Sequence, residues 1–378
     1  MTAIQQKADF TPGETIVPIS ADSHIAEPPN CYVDYIDPAY REEAPRVVRN
    51  AQGQDVYVVK GWENSFSVNK IASAGKTDAE VQAESGRFDE VARGSWDPKA
   101  RLADQDRDGV GGEVIYPTIG MLLCDHPDTD YKHAAMMAYN RWLQQFCEGA
   151  PDRLFGIGQT AVRSVDEAIR DFREIAGMGH KGVMLPNLPA TEADYDDVAF
   201  DPLWETAVEL GLPLSFHVLT GGADLGSRSR GPKLGNYYGI IRACQDIISM
   251  FILGGVFERH PDLKLVCVEA DAGWAPHYIY RMEHAYDHLR SVMKFREMKQ
   301  SPRAYFENNV FLTFQDDPVA FKTVDMMSER QLMWANDFPH FDSIWPNSQA
   351  ILAEMTADLS DHQRRRILRD NVRDLYRL

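Results

Sequence analysis

The chain is predicted to fold as a (β/α)8 TIM barrel, an α/β fold, with a long insertion after its first strand, and three observations carry that expectation. Apolar runs of strand length alternate with helical patterns through most of the chain, which argues a parallel sheet wrapped in helices. Eight such units argue closure into a barrel. The remaining stretch, 28–109, is rich in Pro, Gly and charge and too long for an ordinary strand–helix connection. A single domain is therefore expected over residues 1–378, with 28–109 as an elaborated loop over the barrel mouth.

The first strand is the apolar run 16–24, which ends in Asp22, Ser23 and His24, with Glu27 just beyond. Helical periodicity resumes at 98–108. The second strand is read at 112–118 with a helix near 129–149, and the third at 154–158 with a helix at 164–176. Strand four is 181–186, followed by a helix over 202–211 that a glycine closes. Strand five, 213–217, leads through a Gly-rich loop to a helix from about 236 to 258. Strand six is 264–269 with a helix from 274 to about 298, and strand seven is 309–314 with a helix at 318–328. Strand eight, 332–337, precedes helices near 346–357 and 361–376.

At 378 residues and 44% hydrophobic content the chain can bury a large core. Its formal charge of −18 argues against nucleic acid or an anionic membrane as partner, because no Lys/Arg run is dense enough to offset it. The five cysteines, 31, 124, 147, 244 and 267, form no CxxC pair and fit reduced thiols in the cytoplasm. The polar segment 1–15 has no signal-peptide core, and no apolar run reaches the ~18 residues of a membrane span. A small molecule is the expected partner, with a homodimer the expected assembly.

In such a barrel, polar residues at the carboxyl ends of the strands belong to the active site, while those at the other rim serve stability. Asp22 and His24, two apart on one strand, project to the same side. With His217, Glu269 and Asp337 at the ends of strands five, six and eight, five titratable groups meet at one mouth. Burying several carboxylates without a cation costs several kcal/mol each, so a bound divalent metal is the simplest offset. Thr118, Thr160, Thr313 and Gln315 at other strand ends suit hydrogen bonding. His340, three residues past Asp337, reads as a proton shuttle or an orienting group, and His126 as a weaker candidate. His180 and His260 fall on the stability rim, and His277, His284 and His288 lie along one helix.

These residues also carry a resemblance. Ala21-Asp22-Ser23-His24-Ile25-Ala26-Glu27-Pro28-Pro29, Trp96-Asp97-Pro98, Arg101-Leu102-Ala103-Asp104, Tyr116-Pro117-Thr118, the segment 257–264, Glu269 with Gly273-Trp274, and Asp337-Phe338-Pro339-His340 resemble amidohydrolase-related family 2. That branch includes aminocarboxymuconate-semialdehyde decarboxylase and benzoate decarboxylases. The resemblance implies that Asp22, His24, His217 and Asp337 are metal ligands. It departs from the family at Asp22, where many members carry His, and at Glu269, where the decarboxylases carry a catalytic His. No Lys stands at the active end of strand four, so a carboxylated-lysine dinuclear site is not expected.

Three functions follow as expectations. The first is a hydrolase or C–C lyase acting on a small aromatic or alicyclic acid through one Zn or Mn ion, with Asp337, Glu269 and His340 as acid/base groups. The second is a non-heme di-iron monooxygenase, in which Glu27 and Glu269 complete an oxygen-rich ligand set with Asp22, His24, His217 and Asp337. The third is a ligand-binding barrel without catalysis. Trp62, Trp96, Trp274, Trp345 and Tyr116 are candidate pocket walls, and Arg93 or Arg101 a candidate partner for a substrate carboxylate.

Overall fold

A computed structural model describes residues 16–221 and 237–378. The expected Gly-rich loop after strand five, at 222–236, and the polar segment 1–15 lie outside them. Eight strands form one parallel sheet in the order β1 (Ile19–His24), β5 (Gly112–Tyr116), β6 (Leu154–Gln159), β7 (Gly182–Met184), β8 (Leu214–His217), β9 (Leu265–Val268), β10 (Val310–Phe314) and β11 (Leu332–Trp334). These are the eight runs read from the sequence, each within a few residues. Their side chains are buried almost without exception, as helices on the outer face and packed side chains inside require.

Closure between the last and first strands is made by the residues just past β11. Asp337 N–H donates to Asp22 O at 3.1 Å, and His24 N–H donates to Phe338 O at 2.6 Å. The barrel is therefore sealed at the place where Asp22, His24 and Asp337 sit. No described helix is long and apolar enough to cross a membrane.

The insertion has more order than its sequence suggests. Between β1 and β5 lies a small antiparallel sheet of β2 (Arg46–Arg49), β3 (Asp55–Val58) and β4 (Phe66–Ser67), with short helical turns and the helix Pro98–Asp108. These strands have only two to four residues each, too few for period-2 alternation to stand out. The insertion is tied to the carboxyl-end rim: Ala26 N–H donates to Ser95 O, Tyr57 Oη–H to Glu27 O, and Ala74 N–H to Pro339 O.

Under that rim lies a buried ionic network. The fully buried Arg101 guanidinium contacts Glu113 Oε2 at 2.5 Å and donates to His24 O at 2.8 Å, Gly94 O at 3.3 Å and Phe338 O at 3.3 Å. Its charge stacks 4.5 Å from the Phe338 ring centroid. One cation thus joins the insertion, the end of β1 and the segment that closes the barrel. That placement corrects the expectation that Arg101 faces a substrate carboxylate. Arg93 is also committed elsewhere, to an exposed pair with Asp97.

Tyr116 is likewise interior, with Oη 2.9 Å from Ser215 Oγ and 3.2 Å from Tyr376 Oη. Trp62, Trp96, Trp274 and Trp345 pack against Phe66, Phe88, Tyr278 and Phe338 respectively. On the far rim His180 is buried with Nε2 donating to Asn140 O at 3.0 Å, and His260 pairs with Asp201 at 2.9 Å, as structural residues would.

Two outcomes test this framework. Arg101→Ala leaves Glu113 buried without its cation and is expected to destabilise the fold by about 3–5 kcal/mol, with part regained in Arg101→Ala/Glu113→Leu, as read by denaturant unfolding. Burial pulls His180 down to about 4 from its ordinary 6.5. The unfolded chain therefore takes up a proton that the fold refuses, and stability falls as pH drops from 6.5 towards 4. His180→Gln is expected to flatten that part of the profile, by about 3 kcal/mol at most.

Candidate metal centre

The centre begins with β1. Pairing with β5 shifts register between Ser20 and Ser23, so one extra residue is accommodated where Asp22 turns inward. Ser20 and Ser23 donate their hydroxyls to Asn336 Oδ1 at 3.1 and 3.0 Å, which fixes the irregularity. Asn336 also donates to Asp108 Oδ2 at 3.3 Å and Glu113 Oε1 at 3.5 Å. The residue before Asp337 is thus bound to β1 and to the network around Arg101. Nothing in the local sequence marks Asn336, because its partners Ser20, Ser23, Asp108 and Glu113 all lie more than 200 residues away.

Two of the expected site residues occupy backbone conformations that L-residues avoid. Glu269, just past β9, has φ 59°, and Asp337, past β11, has φ 55°. Each costs of order 1 kcal/mol and persists where surrounding bonds over-determine it, as is common at functional sites. For Glu269 one such bond is its N–H to Thr313 Oγ1 at 2.9 Å. For Asp337 it is the bond to Asp22 O already described.

The side chains then converge. Asp22, His24, His217 and Glu269 each offer a ligand atom within 4.8 Å of the others, and so do His24, Glu269, Asp337 and His340. His24 Nε2 lies 3.3 Å from Asp22 Oδ1, 3.4 Å from Asp337 Oδ1 and 3.8 Å from Glu269 Oε2. His217 Nε2 lies 3.4 Å from Glu269 Oε2 and 3.6 Å from Asp22 Oδ1.

Hydrogen bonds on the far side of each ring decide which tautomer faces the centre. His24 Nδ1 is 2.8 Å from Pro117 O and His217 Nδ1 is 2.9 Å from Val218 O. A carbonyl only accepts, so each Nδ1 carries the proton and each Nε2 presents a lone pair. Those two lone-pair nitrogens stand 3.2 Å apart. Around them, Asp22 Oδ1, Glu269 Oε2 and both Asp337 carboxylate oxygens are buried with no hydrogen-bond partner among the described residues. Lone pairs facing one another at this range repel unless a cation sits among them. Two nitrogens bound at 2.0–2.1 Å to one ion would lie about 3.0–3.4 Å apart. The residues present therefore fit a divalent metal.

Electrostatics give the same answer. Burial, reinforced by Asp337 and Asp22, raises Glu269 well above the usual carboxylate range. Burial also raises Asp337 to about 8, against the pull of His24. Asp22 is held below the ordinary range, burial being outweighed by His217 and His24. Burial holds His24 and His340 at about 4, so both rings are neutral.

Glu27 is not brought into the cluster. It is fully buried, and Oε1 accepts from the N–H groups of Thr118 at 3.0 Å, Ile119 at 2.8 Å and Gly120 at 3.2 Å, with Tyr32 Oη–H at 3.3 Å. It holds a turn behind the site, which removes the extra ligand that a di-iron reading required. Of the remaining threonines, Thr160 Oγ1 donates to Asp171 and faces away. His126 contacts Lys60 O in the insertion at 2.7 Å. His284 and His288 stack on one another along their helix.

A family profile described as amidohydrolase matches residues 22–378. The 2-amino-3-carboxymuconate-6-semialdehyde decarboxylase of Dictyostelium discoideum is 26% identical over 257 residues, 67% of this chain and 69% of that one. Among solved structures, an amidohydrolase from Mycobacterium avium subsp. paratuberculosis K-10 matches at TM-score 0.80 and 20% identity, covering 96% of this chain and 100% of the other. The 5-carboxyvanillate decarboxylase of Novosphingobium aromaticivorans, solved with manganese, matches at TM-score 0.68 and 19% identity, covering 96% of each. The chain belongs to the amidohydrolase family, as a metal-dependent enzyme of the hydrolase and lyase kind.

Metal removal provides the test. Adding Mn(II) or Zn(II) to chelator-treated protein is expected to raise the melting temperature, by an amount equivalent to about 2.7 kcal/mol at a hundredfold excess over Kd. In the metal-free protein Asp337 titrates near 8 rather than its ordinary 3.8, so stability is lost as pH rises from about 4 through 8. Asp337→Asn is accordingly expected to raise the metal-free melting temperature at pH 8 and to abolish most of the gain on adding metal.

Proposed function

We propose that the protein is a metal-dependent decarboxylase of an aromatic acid that carries a hydroxyl beside its carboxylate. The observation that carries the reading is the meeting of two imidazole lone pairs with buried carboxylate oxygens of Asp22, Glu269 and Asp337 that have no hydrogen-bond partner among the described residues. The relatives add the chemistry: two of the three compared above are decarboxylases, of 5-carboxyvanillate and of an aminocarboxymuconate semialdehyde, and a further one, from Rhizobium, is a 2,6-dihydroxybenzoate decarboxylase.

Exposure divides the labour. Asp22, His24, His217 and Asp337 have at most 1% of their side chains exposed and would hold the ion, whereas Glu269 and His340 have 15% exposed and would move protons. A divalent cation bound there supplies Lewis acidity towards the acid's carboxylate and neighbouring oxygen. His340, neutral through burial, accepts the proton of the hydroxyl. Glu269, whose carboxyl is raised well above the ordinary range by burial, reinforced by Asp337 and Asp22, would give its proton to the ring carbon as the C–C bond breaks and CO2 leaves. This assigns to a carboxyl the step that a histidine performs in the decarboxylases the sequence resembles. The free state of Cys31, Cys124, Cys147, Cys244 and Cys267 supports a reducing, cytoplasmic setting.

Release of CO2 from a panel of 2-hydroxybenzoates by manganese- or zinc-loaded protein tests the reading. Turnover is expected to require the metal, to fall about 10²-fold or more in Glu269→Gln with metal content retained, and to vanish with the metal in His217→Ala. Full metal occupancy with hydrolysis of esters or lactones and no CO2 from any acid would instead establish the hydrolase.

A further inference from the structure

The amino-end rim, opposite the metal centre, holds a cavity of about 610 Å3 that the proposed function does not use. It lies where four strands begin: Pro213 precedes β8, Lys264 precedes β9, Asn308 comes shortly before β10 and Arg330 shortly before β11. The C-terminal segment adds Arg366 and Arg377, and Leu212, Leu263, Phe311 and Leu375 supply apolar walls. Four basic side chains thus line one cavity of a chain whose formal charge is −18. Their positive charge is poorly matched. Among the described residues the Arg330 and Arg377 guanidinium groups have no hydrogen bond or ion pair. Arg366 gives Nη1 to Asp374 Oδ2 at 2.7 Å, yet its Nε is buried with no partner among the described residues. Lys264 donates to the Asn308 carbonyl at 2.8 Å, and burial lowers its ammonium from the ordinary 10.5, with Asp262 opposing that shift. Glu307, also on the wall, is taken by Arg303 at 3.3 Å.

Arg377 is seated against the chain. A Cβ at Gly211 would overlap its guanidinium, so a glycine, here at φ 67° where it closes the helix Asp201–Leu210, is what leaves the group room. Guanidinium groups meet carboxylate and phosphate oxygens in planar pairs, and positive charge gathered in a recess with apolar walls attracts anions more strongly than the same charge on open surface. Two unpartnered guanidiniums beside a half-buried ammonium suit a ligand with two negative groups, and the apolar walls suit a carbon body between them. We propose that this cavity binds a small organic dianion, with Arg330 and Arg377 pairing with its anionic groups and Phe311 and the leucines covering its carbon body. A dicarboxylate and a phosphate ester share that chemistry. The cavity lies at the other end of the barrel from Asp22, His24, His217 and Asp337, so both sites can be filled at once.

The experiment titrates full-length, zinc-loaded protein with isophthalate and with phenyl phosphate by calorimetry at low salt. At least one of the two is expected to bind, with benzoate, which has a single charge, about tenfold or more weaker, and with affinity falling as NaCl is added. Arg330→Ala/Arg377→Ala removes two exposed side chains that hold no bond to the fold, so its melting temperature should match the wild type while its Kd rises about tenfold or more. Arg330→Lys/Arg377→Lys, which keeps the charge, is expected to recover part of the loss. Because an aromatic acid can also reach the metal centre, His217→Ala is titrated in parallel and is expected to keep the wild-type affinity. Tight binding of isophthalate alone would identify a dicarboxylate ligand, and of phenyl phosphate alone a phosphate ester, either of which supports the proposal. Binding that is lost in His217→Ala and kept in Arg330→Ala/Arg377→Ala, equal affinity for benzoate and isophthalate with none for phenyl phosphate, or no binding of either dianion would overturn it.

Discussion

Two imidazoles turn their Nε2 atoms towards each other across 3.2 Å, with carboxylate oxygens from three strand ends packed around them. In a buried setting such an arrangement is unfavourable by several kcal/mol unless positive charge sits within it. Much of the surrounding structure serves to keep it from relaxing. Backbone carbonyls at Pro117 and Val218 stop the rings from presenting N–H inward. Left-handed backbone at Glu269 and Asp337 keeps both carboxylates aimed at the centre. Stability is thereby traded for affinity, since the pre-organised site has already met the cost of bringing its ligands together.

The barrel supplies the rigidity for this. The seam between first and last strands coincides with the site, so the bonds that close the fold also position Asp22, His24 and Asp337. Arg101 is the keystone beneath: with Glu113 and Asn336 it links the last helix of the insertion, β1, β5 and the closing segment in one buried network. A guanidinium suits the task because its planar fork reaches several acceptors at once and remains charged when buried. The insertion is therefore bound into the support of the site and does not merely lie over it.

A division between holding and reacting also emerges from burial. The four ligands proposed to hold the ion are sealed from solvent, while Glu269 and His340 keep an edge exposed, as proton carriers must if they are to be reset between turnovers. Glu27 belongs to neither group. It acts at one remove, by fixing the turn that follows Pro117, whose carbonyl orients the His24 ring.

The eight strands and the convergence of Asp22, His24, His217, Glu269 and Asp337 were legible in the sequence, because strand periodicity and the carboxyl-end rule need only local pattern and chain order. The small sheet of the insertion was not, since its strands are too short to show a period. What Glu27, Arg101 and Tyr116 do was also hidden: each has chemistry suited to the site, yet each is held by partners that chain order does not reveal. Asn336 carried no signal at all, although it bonds to Ser20, 316 residues away. Residue types thus set which groups could gather at the mouth. Only tertiary structure decided which face the ion, which support those that do, and which ring nitrogen bears the proton, because these depend on hydrogen bonds between segments brought together by barrel closure.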